Sequence, residues 1–178
     1  YYVRAKVSAS DFASDWATIS FRMNSTVAVG NLTFDPEYNE SNVYTTVEFP
    51  TISSSPVVDS EGDDVYVKYL LSTNSSFTSK VDSSTVEVSS STASWQPSID
   101  PSDNQQYWIK ALTYDGYEYG AETDASTFIL NNENDAPDTF VLSSPVGGTE
   151  VSTLTPTLDW PDVNDVDPLD VLSYTLYL

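Results

Sequence analysis

An internal repeat restricts the folding of this 178-residue chain more than any other feature of its sequence. Four segments of the first part recur in the same order in the second: 1–5 as 107–111, 21–24 as 128–131, 46–50 as 157–161, and 65–71 as 172–178. Such a recurrence, at a spacing of roughly 107 residues, predicts a repeated structural unit.

The frame of the repeat predicts one whole copy and two partial ones. Residues 1–24 are predicted to be the last two strands of a preceding repeat, 25–131 a complete β-sandwich repeat, and 132–178 a linker with the first three strands of a following repeat. The partial copies lack a counterpart of 72–106. We therefore expect either a window cut from a longer array or ends completed by neighbouring molecules.

Period-two alternation of apolar and polar residues indicates strands throughout the chain. The predicted strands are 1–7, 17–23, 43–49, 65–71, 84–88, 107–114, 126–130, 155–160 and 171–178. Clusters of Pro, Asp, Asn and Ser between them are typical of turns, and no stretch has helical periodicity. The predicted fold class is all-β, and a repeat of about 100 residues has the size of a seven-stranded sandwich.

Composition excludes several classes of function. The chain has 27 acidic and 6 basic side chains, a net charge of −21, and neither histidine nor cysteine. Such a charge repels nucleic acid and anionic membranes, and no apolar run is long enough to insert into a bilayer. Imidazole and thiolate catalysis and Cys-ligated metals are absent, so we expect no enzyme. The expected partners are adjacent repeats, neighbouring copies of the chain, and cations.

Several motifs resemble those of fibronectin type III domains. The strand 107–111 and the turn 113–116 resemble strand F of that family, and Trp95-Gln96-Pro97 resembles the element that precedes it. The resemblance implies tandem immunoglobulin-like sandwiches of bacterial or archaeal surface proteins, outside the cell. It also implies that Phe49 and Trp160 are the core aromatics of strand B. We expect these two residues, with Trp95 and Trp108, to hold the core.

A second resemblance concerns the segment 132–140, which is similar to the calcium-binding linker of cadherins. It implies that Asn134 and Asp135 are calcium ligands. A nearby loop adds Asp165, Asp167 and Asp170, whose carboxylates are ligands that calcium prefers. Two interpretations stay open for these residues: a calcium site, or a solvated acidic loop without a cofactor.

Two other groups of residues are candidate sites. Sequons for N-glycosylation occur at Asn24, Asn31, Asn39 and Asn74. Tyr114, Tyr117 and Tyr119 surround a turn that could bind a glycan or pack against a neighbouring domain.

These observations favour a structural module of a surface stalk, fibre or filament, completed head-to-tail by strands of neighbouring copies. The alternative is an adhesin or a carbohydrate-binding accessory module of a secreted protein.

Overall fold

Short strands form the regular structure of the chain, which is all-β. The structure is a computed structural model that describes residues 1–35, 43–55 and 57–177. Within these ranges the strands are β1 (Tyr2–Ala5), β2 (Ser8–Ala9), β3 (Phe12–Ala13), β4 (Ala17–Ser20), β5 (Leu32–Asp35), β6 (Val43–Tyr44), β7 (Thr51–Ser54), β8 (Tyr66–Ser72), β9 (Lys80–Glu87), β10 (Ser94–Trp95), β11 (Gln105–Tyr114) and β12 (Ser126–Leu130). No described segment forms a helix that could cross a bilayer.

Two sheets form the central body of the protein. The larger has the strand order β6-β12-β11-β8-β9, and the smaller has the order β10-β7-β5. Neighbouring strands are antiparallel except β6 and β12, which are parallel. Strand β11 lies at the centre of the larger sheet and, with ten residues, is the longest strand described.

The two sheets pack against each other through one apolar core. Alternate residues of β11, including Tyr107 and Ile109, are buried on the inner face, as strand geometry requires. Phe34 of the smaller sheet lies 5.8 Å from Phe128 of the larger, between ring centroids. The hydroxyl of buried Tyr69 donates a 2.6 Å hydrogen bond to the carbonyl of Ala93, so its polar atom is satisfied inside the core.

The N-terminal hairpin, residues 1–21, stands outside this core. Strands β1 and β4 pair with Tyr2 opposite Ser20 and Val3 opposite Ile19, and β2 and β3 continue the hairpin to its tip. The repeat relates β1 to β11 by an offset of 106 and β4 to β12 by an offset of 107. Adding these offsets to the two pairs gives Trp108–Thr127 and Ile109–Ser126. These are the pairs observed between β11 and β12. The hairpin therefore has the register of its counterpart.

The C-terminal segment, residues 132–177, contains little regular structure. The strands predicted at 155–160 and over the described part of 171–178 are wrong: only an isolated bridge joins Ser144 to Asp159. Tyr174 packs against Phe140 and Trp160, with 5.5 Å between ring centroids in each pair. Both predicted segments alternate in polarity, but neither has a neighbouring strand with which to form a ladder.

Three other predictions are also corrected. The strand expected at 43–49 ends at Tyr44, and β7 lies at Thr51–Ser54 because its ladder partners are there. Trp108 is only half-buried, since alternation along β11 turns Tyr107 inward and Trp108 outward. Trp160 is half-buried beside Tyr174 and is not part of the central core, whereas Phe49 is in it and Trp95 packs against it.

Candidate functional site: an acidic joint at one end of the body

The candidate site lies where the body meets the C-terminal segment. Gln105, the first residue of β11, pairs with Leu130, the last residue of β12, so the turn before one strand and the exit from the other are neighbours. Asp103 uses this proximity: its Oδ1 accepts the backbone N–H groups of Asn132 at 2.7 Å and Glu133 at 3.0 Å. These hydrogen bonds lower the pKa of Asp103 because they favour its ionised form, and the bond donated by Glu133 has the largest effect.

Asp167 connects the C-terminal segment to this edge. Its side chain is buried, and its Oδ1 accepts a 2.5 Å hydrogen bond from the amide of Asn131. Its Oδ2 accepts the backbone N–H of Asp135 at 2.7 Å. The amide of Asn104 also donates to Asp135 at 3.0 Å. The acidic loop of 162–170 is therefore held on the end of the larger sheet. We call this arrangement the second joint.

Carboxylates converge at the second joint without a basic residue among them. Asp103, Asp135 and Asp167 can each place one oxygen within 4.8 Å of the others, as can Asp165, Asp167 and Asp170. The two ion pairs found among the described residues, Arg22–Asp63 and Lys110–Glu122, are formed by other residues.

The electrostatic consequence is seen at Asp135. Desolvation, followed by the negative charges of Asp167 and Asp103, raises the pKa of Asp135. Two oxygens at the joint, Asp165 Oδ2 and Asn132 Oδ1, are buried without a hydrogen-bond partner. The site therefore offers hard oxygen donors and unneutralised charge, the donor chemistry that calcium selects.

The structure brings together four of the five predicted metal ligands. Asp135 lies in one carboxylate group and Asp165 and Asp170 in the other, with Asp167 common to both, whereas the amide of exposed Asn134 donates to the backbone carbonyl of Asp135. Asp103 was missed. Its proximity depends on the pairing of β11 with β12, and the only sequence signal is its place four residues before the predicted strand 107–114.

A related first joint lies at the opposite end of β11. The amide of Asn24 donates to Asp115 at 2.9 Å, and the backbone N–H groups of Glu118 and Tyr117 also donate to this carboxylate. These hydrogen bonds lower the pKa of Asp115. The bond donated by Glu118 has the largest effect, followed by the bond donated by Asn24.

Arg22 supplies the positive charge at this joint. It donates to the carboxylate of Asp63 at 3.0 Å and to the carbonyl of Glu61 at 3.2 Å. Adding 106 to Asp59 and Glu61 gives Asp165 and Asp167, so the two joints use matching loops. The first has an arginine where the second has none.

The predicted tyrosine site forms a partly exposed cluster beside the first joint. The rings of Tyr114 and Tyr119 lie 4.8 Å apart, and the hydroxyl of Tyr114 donates to the carbonyl of Gly116. Tyr117 is 74% exposed and lines a cavity of about 330 Å³ with Arg22 and Asp63.

Three of the four sequon asparagines lie in the described part of the chain. Asn24 uses its amide at the first joint, and Asn74 donates to Thr78 within its own turn. Asn31 is exposed just before β5, and Asn39 lies outside the described residues. Glycosylation of these residues stays a prediction.

No protein-family model and no curated protein matches the chain. A solved structure titled "Structure of PhoD" is similar with a TM-score of 0.38 at 13% sequence identity. The similarity covers 66% of this chain and 20% of the PhoD chain.

Proposed function

We propose that this protein is a structural repeat module of an extracellular stalk, fibre or filament, with the fold of a fibronectin type III-like sandwich. Two observations support the proposed fold: the division of the strands into β10-β7-β5 and β6-β12-β11-β8-β9, and the matching registers of the two hairpins. The proposal assigns the chain no catalytic role.

The observation that carries the proposal is the position of the two joints. Asn24, where the chain enters the body, contacts Asp115 just after β11, whereas Asn131, where it leaves, contacts Asn104 just before β11. The ten residues of β11 separate the joints by about 30 Å at roughly 3.3 Å per residue. A module entered at one end and left at the other extends an array with every copy.

The parallel pair β6–β12 suits such a module to bear tension. Ile129 pairs with Val43 and Leu130 with Tyr44, and the N–H of Asn131 donates to the carbonyl of Tyr44 at 2.9 Å. Strand β6 follows the entry and β12 precedes the exit. Pulling the joints apart therefore loads these hydrogen bonds together in shear.

Single-molecule force spectroscopy on the full chain tests this function. With force applied through residues 24 and 131, we expect one cooperative unfolding event. The unfolding force should be lower for Tyr44→Pro than for Tyr44→Ala, because the backbone of Tyr44 faces β12, where its carbonyl accepts the N–H of Asn131, and proline removes the donor on that side. Val81→Pro on the edge strand β9 is the control and should lower the force less. Unfolding without a resolvable force peak would contradict the proposal.

A divalent cation at the second joint is a separate part of the proposal. Its ligands would be either Asp103, Asp135 and Asp167 or Asp165, Asp167 and Asp170, and calcium is the cation that these oxygens suit best. Bound calcium would offset the repulsion that, after desolvation, contributes to the raised pKa of Asp135, and it would stiffen the joint.

Thermal unfolding in calcium and in chelator tests the cation site. At matched ionic strength, calcium should raise the unfolding midpoint of the unmodified chain, and Asp167→Asn should abolish that rise. Exposed Asp162, outside the cluster, is the matched control, and Asp162→Asn should respond like the unmodified chain. Equal midpoints in calcium and chelator would contradict the cation site and leave the structural module untouched.

The exposed tyrosines favour a second candidate function, glycan binding by an adhesin or an accessory module. Tyr117 and Tyr119, 74% and 58% exposed, offer ring surface on which a sugar could stack. Glycan-array binding that is lost in Tyr117→Ala would support this function. Tyr177, which is 89% exposed in another part of the chain, provides the control, and Tyr177→Ala should keep the binding. The absence of any bound glycan would contradict it.

A further inference from the structure

The N-terminal hairpin exposes an apolar face. In the body, the corresponding face of the β11–β12 hairpin is buried. Tyr1 and Phe21 stack with 5.5 Å between ring centroids and 17° between ring planes, and they are 72% and 46% exposed. Their counterparts Tyr107 and Phe128 stack at 5.8 Å and 27°, and they are 2% and 0% exposed. The two pairs have nearly the same geometry and opposite environments.

The body shows which elements cover this face and edge. Strand β8 pairs with the edge of β11 that lies opposite β12, with Tyr69 opposite Ala111 and Val67 opposite Thr113. Phe49, just before β7, lies 5.0 Å from Tyr107 between ring centroids. A partner for the hairpin must therefore supply a β8-like strand and an aromatic residue from the region of β7.

The C-terminal segment contains both elements in an unpaired form. Residues 173–177 match the first five residues of β8 at an offset of 107, and none of them forms a ladder with another described strand. Val171 is 94% exposed and Leu176 is 49% exposed. Two aromatic residues of the C-terminal segment, Trp160 and Phe140, contact Tyr174.

The charges of the two ends are complementary. Residues 1–24 contain three basic and two acidic side chains, whereas 132–178 contain nine acidic side chains and no basic one. The attraction between such ends of different molecules raises the rate of their encounter and favours this pairing over hairpin-to-hairpin contact.

From these observations we propose that the hairpin of one molecule is covered by residues 139–177 of a second copy of this chain. The proposal rests on the repeat module proposed above and identifies its partner. Transferring the β8–β11 register by the repeat offsets places Leu176 of one copy opposite Ala5 of the next, and Tyr174 opposite Val7. Because the two surfaces differ, the contact propagates head-to-tail, into an open filament unless the rotation between copies closes a ring.

Complementary end variants test the head-to-tail contact. By sedimentation velocity, the unmodified chain should grow in mass with concentration. Phe21→Asp, which damages the hairpin, and Leu176→Asp, which damages the C-terminal segment, should each weaken self-association by at least about tenfold, the effect of about 1.4 kcal/mol. An equimolar mixture of the two variants should stop at a dimer, because each variant keeps one intact end.

A control variant and a fold measurement keep this test interpretable. Val47 is 70% exposed outside both ends, and Val47→Asp should associate like the unmodified chain. Circular dichroism should give the same unfolding midpoint for all variants in dilute solution, since neither altered end belongs to the core.

Cross-linking tests the register. The chain has no cysteine, so mixing Ala5→Cys with Leu176→Cys molecules under oxidation should give a disulfide-linked heterodimer. Leu172→Cys is the matched control, because four residues displace it along the strand by about 13 Å, beyond the reach of a disulfide. Equal cross-linking at both positions would overturn the proposed register.

A chain that stays monomeric at millimolar concentration would overturn the proposal, as would a mixture of the two variants that does not form dimers. Neither result would contradict the structural module, since force spectroscopy on the body is independent of the ends. Conversely, a body that unfolds without resistance would contradict the module even if the chains polymerise.

Discussion

Two phenylalanines at matching positions of the repeat differ in what surrounds them. Phe128 is fully buried between the sheets, where it contacts Phe34, Tyr44 and Tyr107, whereas Phe21 contacts Tyr1 on an open face. The identity of the residue therefore does not set its contribution to stability.

We predict that Phe128→Ala lowers the free energy of unfolding by about 3–5 kcal/mol, because it removes buried area and leaves a cavity. Phe21→Ala should change it by less than about 0.5 kcal/mol, the usual range for an exposed position. Urea unfolding of both variants in dilute solution, where chains do not associate, measures the difference. Equal losses would show that the hairpin face is already covered within one molecule.

The lowered pKa of Asp103 predicts that the stability of the fold depends on pH. Its pKa is lowered in the folded chain from an ordinary value of 3.8, so its ionised form stabilises the fold at neutral pH. That stabilisation should be lost as the pH falls below about 3.8 towards the lowered pKa. Asp103→Asn should lose less stability over this acid range than the unmodified chain, measured as the thermal midpoint against pH. Exposed Asp124 provides the control Asp124→Asn, and a parallel fall for all three proteins would contradict the prediction.

Strands in this protein depend on neighbours more than on their own pattern. Residues 46–49 alternate in polarity yet form no strand, whereas 51–54 form β7 between β5 and β10. The observed β7 also corrects the repeat alignment, since Pro50-Thr51-Ile52-Ser53 matches Pro156-Thr157-Leu158-Asp159 at an offset of 106. Pattern finds the apolar stretches, but pairing selects the residues that enter the ladder.

Amide hydrogen exchange should distinguish the two hairpins that share this register. We expect slow exchange along β11 and β12, which open only with the core, and fast exchange along β1 and β4, whose residues are exposed throughout. Exchange followed by mass spectrometry or NMR in dilute solution measures this. Slow exchange in β1 at low concentration would contradict it, whereas protection that appears only at high concentration would support the head-to-tail contact.

The net charge of −21 acts on the whole molecule. Three of the six basic residues lie within residues 1–24, so the body and the C-terminal segment are more acidic than the average suggests. Mutual repulsion of these carboxylates opposes the compact state and is screened by salt.

We therefore predict that the unfolding midpoint rises between about 10 mM and about 1 M sodium chloride, as the screening length falls from about 30 Å to about 3 Å. Differential scanning calorimetry measures the rise, with neutral sucrose as the control for crowding and viscosity. An unchanged or lower midpoint in salt would show that local ion pairs, such as Lys110–Glu122, outweigh the general repulsion.

The sequence by itself determined the all-β class, because strand alternation depends on residues close together in the chain. The repeat offsets read from Tyr1, Phe21 and their counterparts relate the register of β1–β4 to that of β11–β12, but the pairs themselves were observed in the structure. Only the tertiary structure decided which copy of the repeat is buried and which carboxylates join Asp167. Those outcomes depend on distant segments: β5 and β7 cover Phe128 but not Phe21, and Asp103 meets Asp135 only because β11 and β12 align their ends.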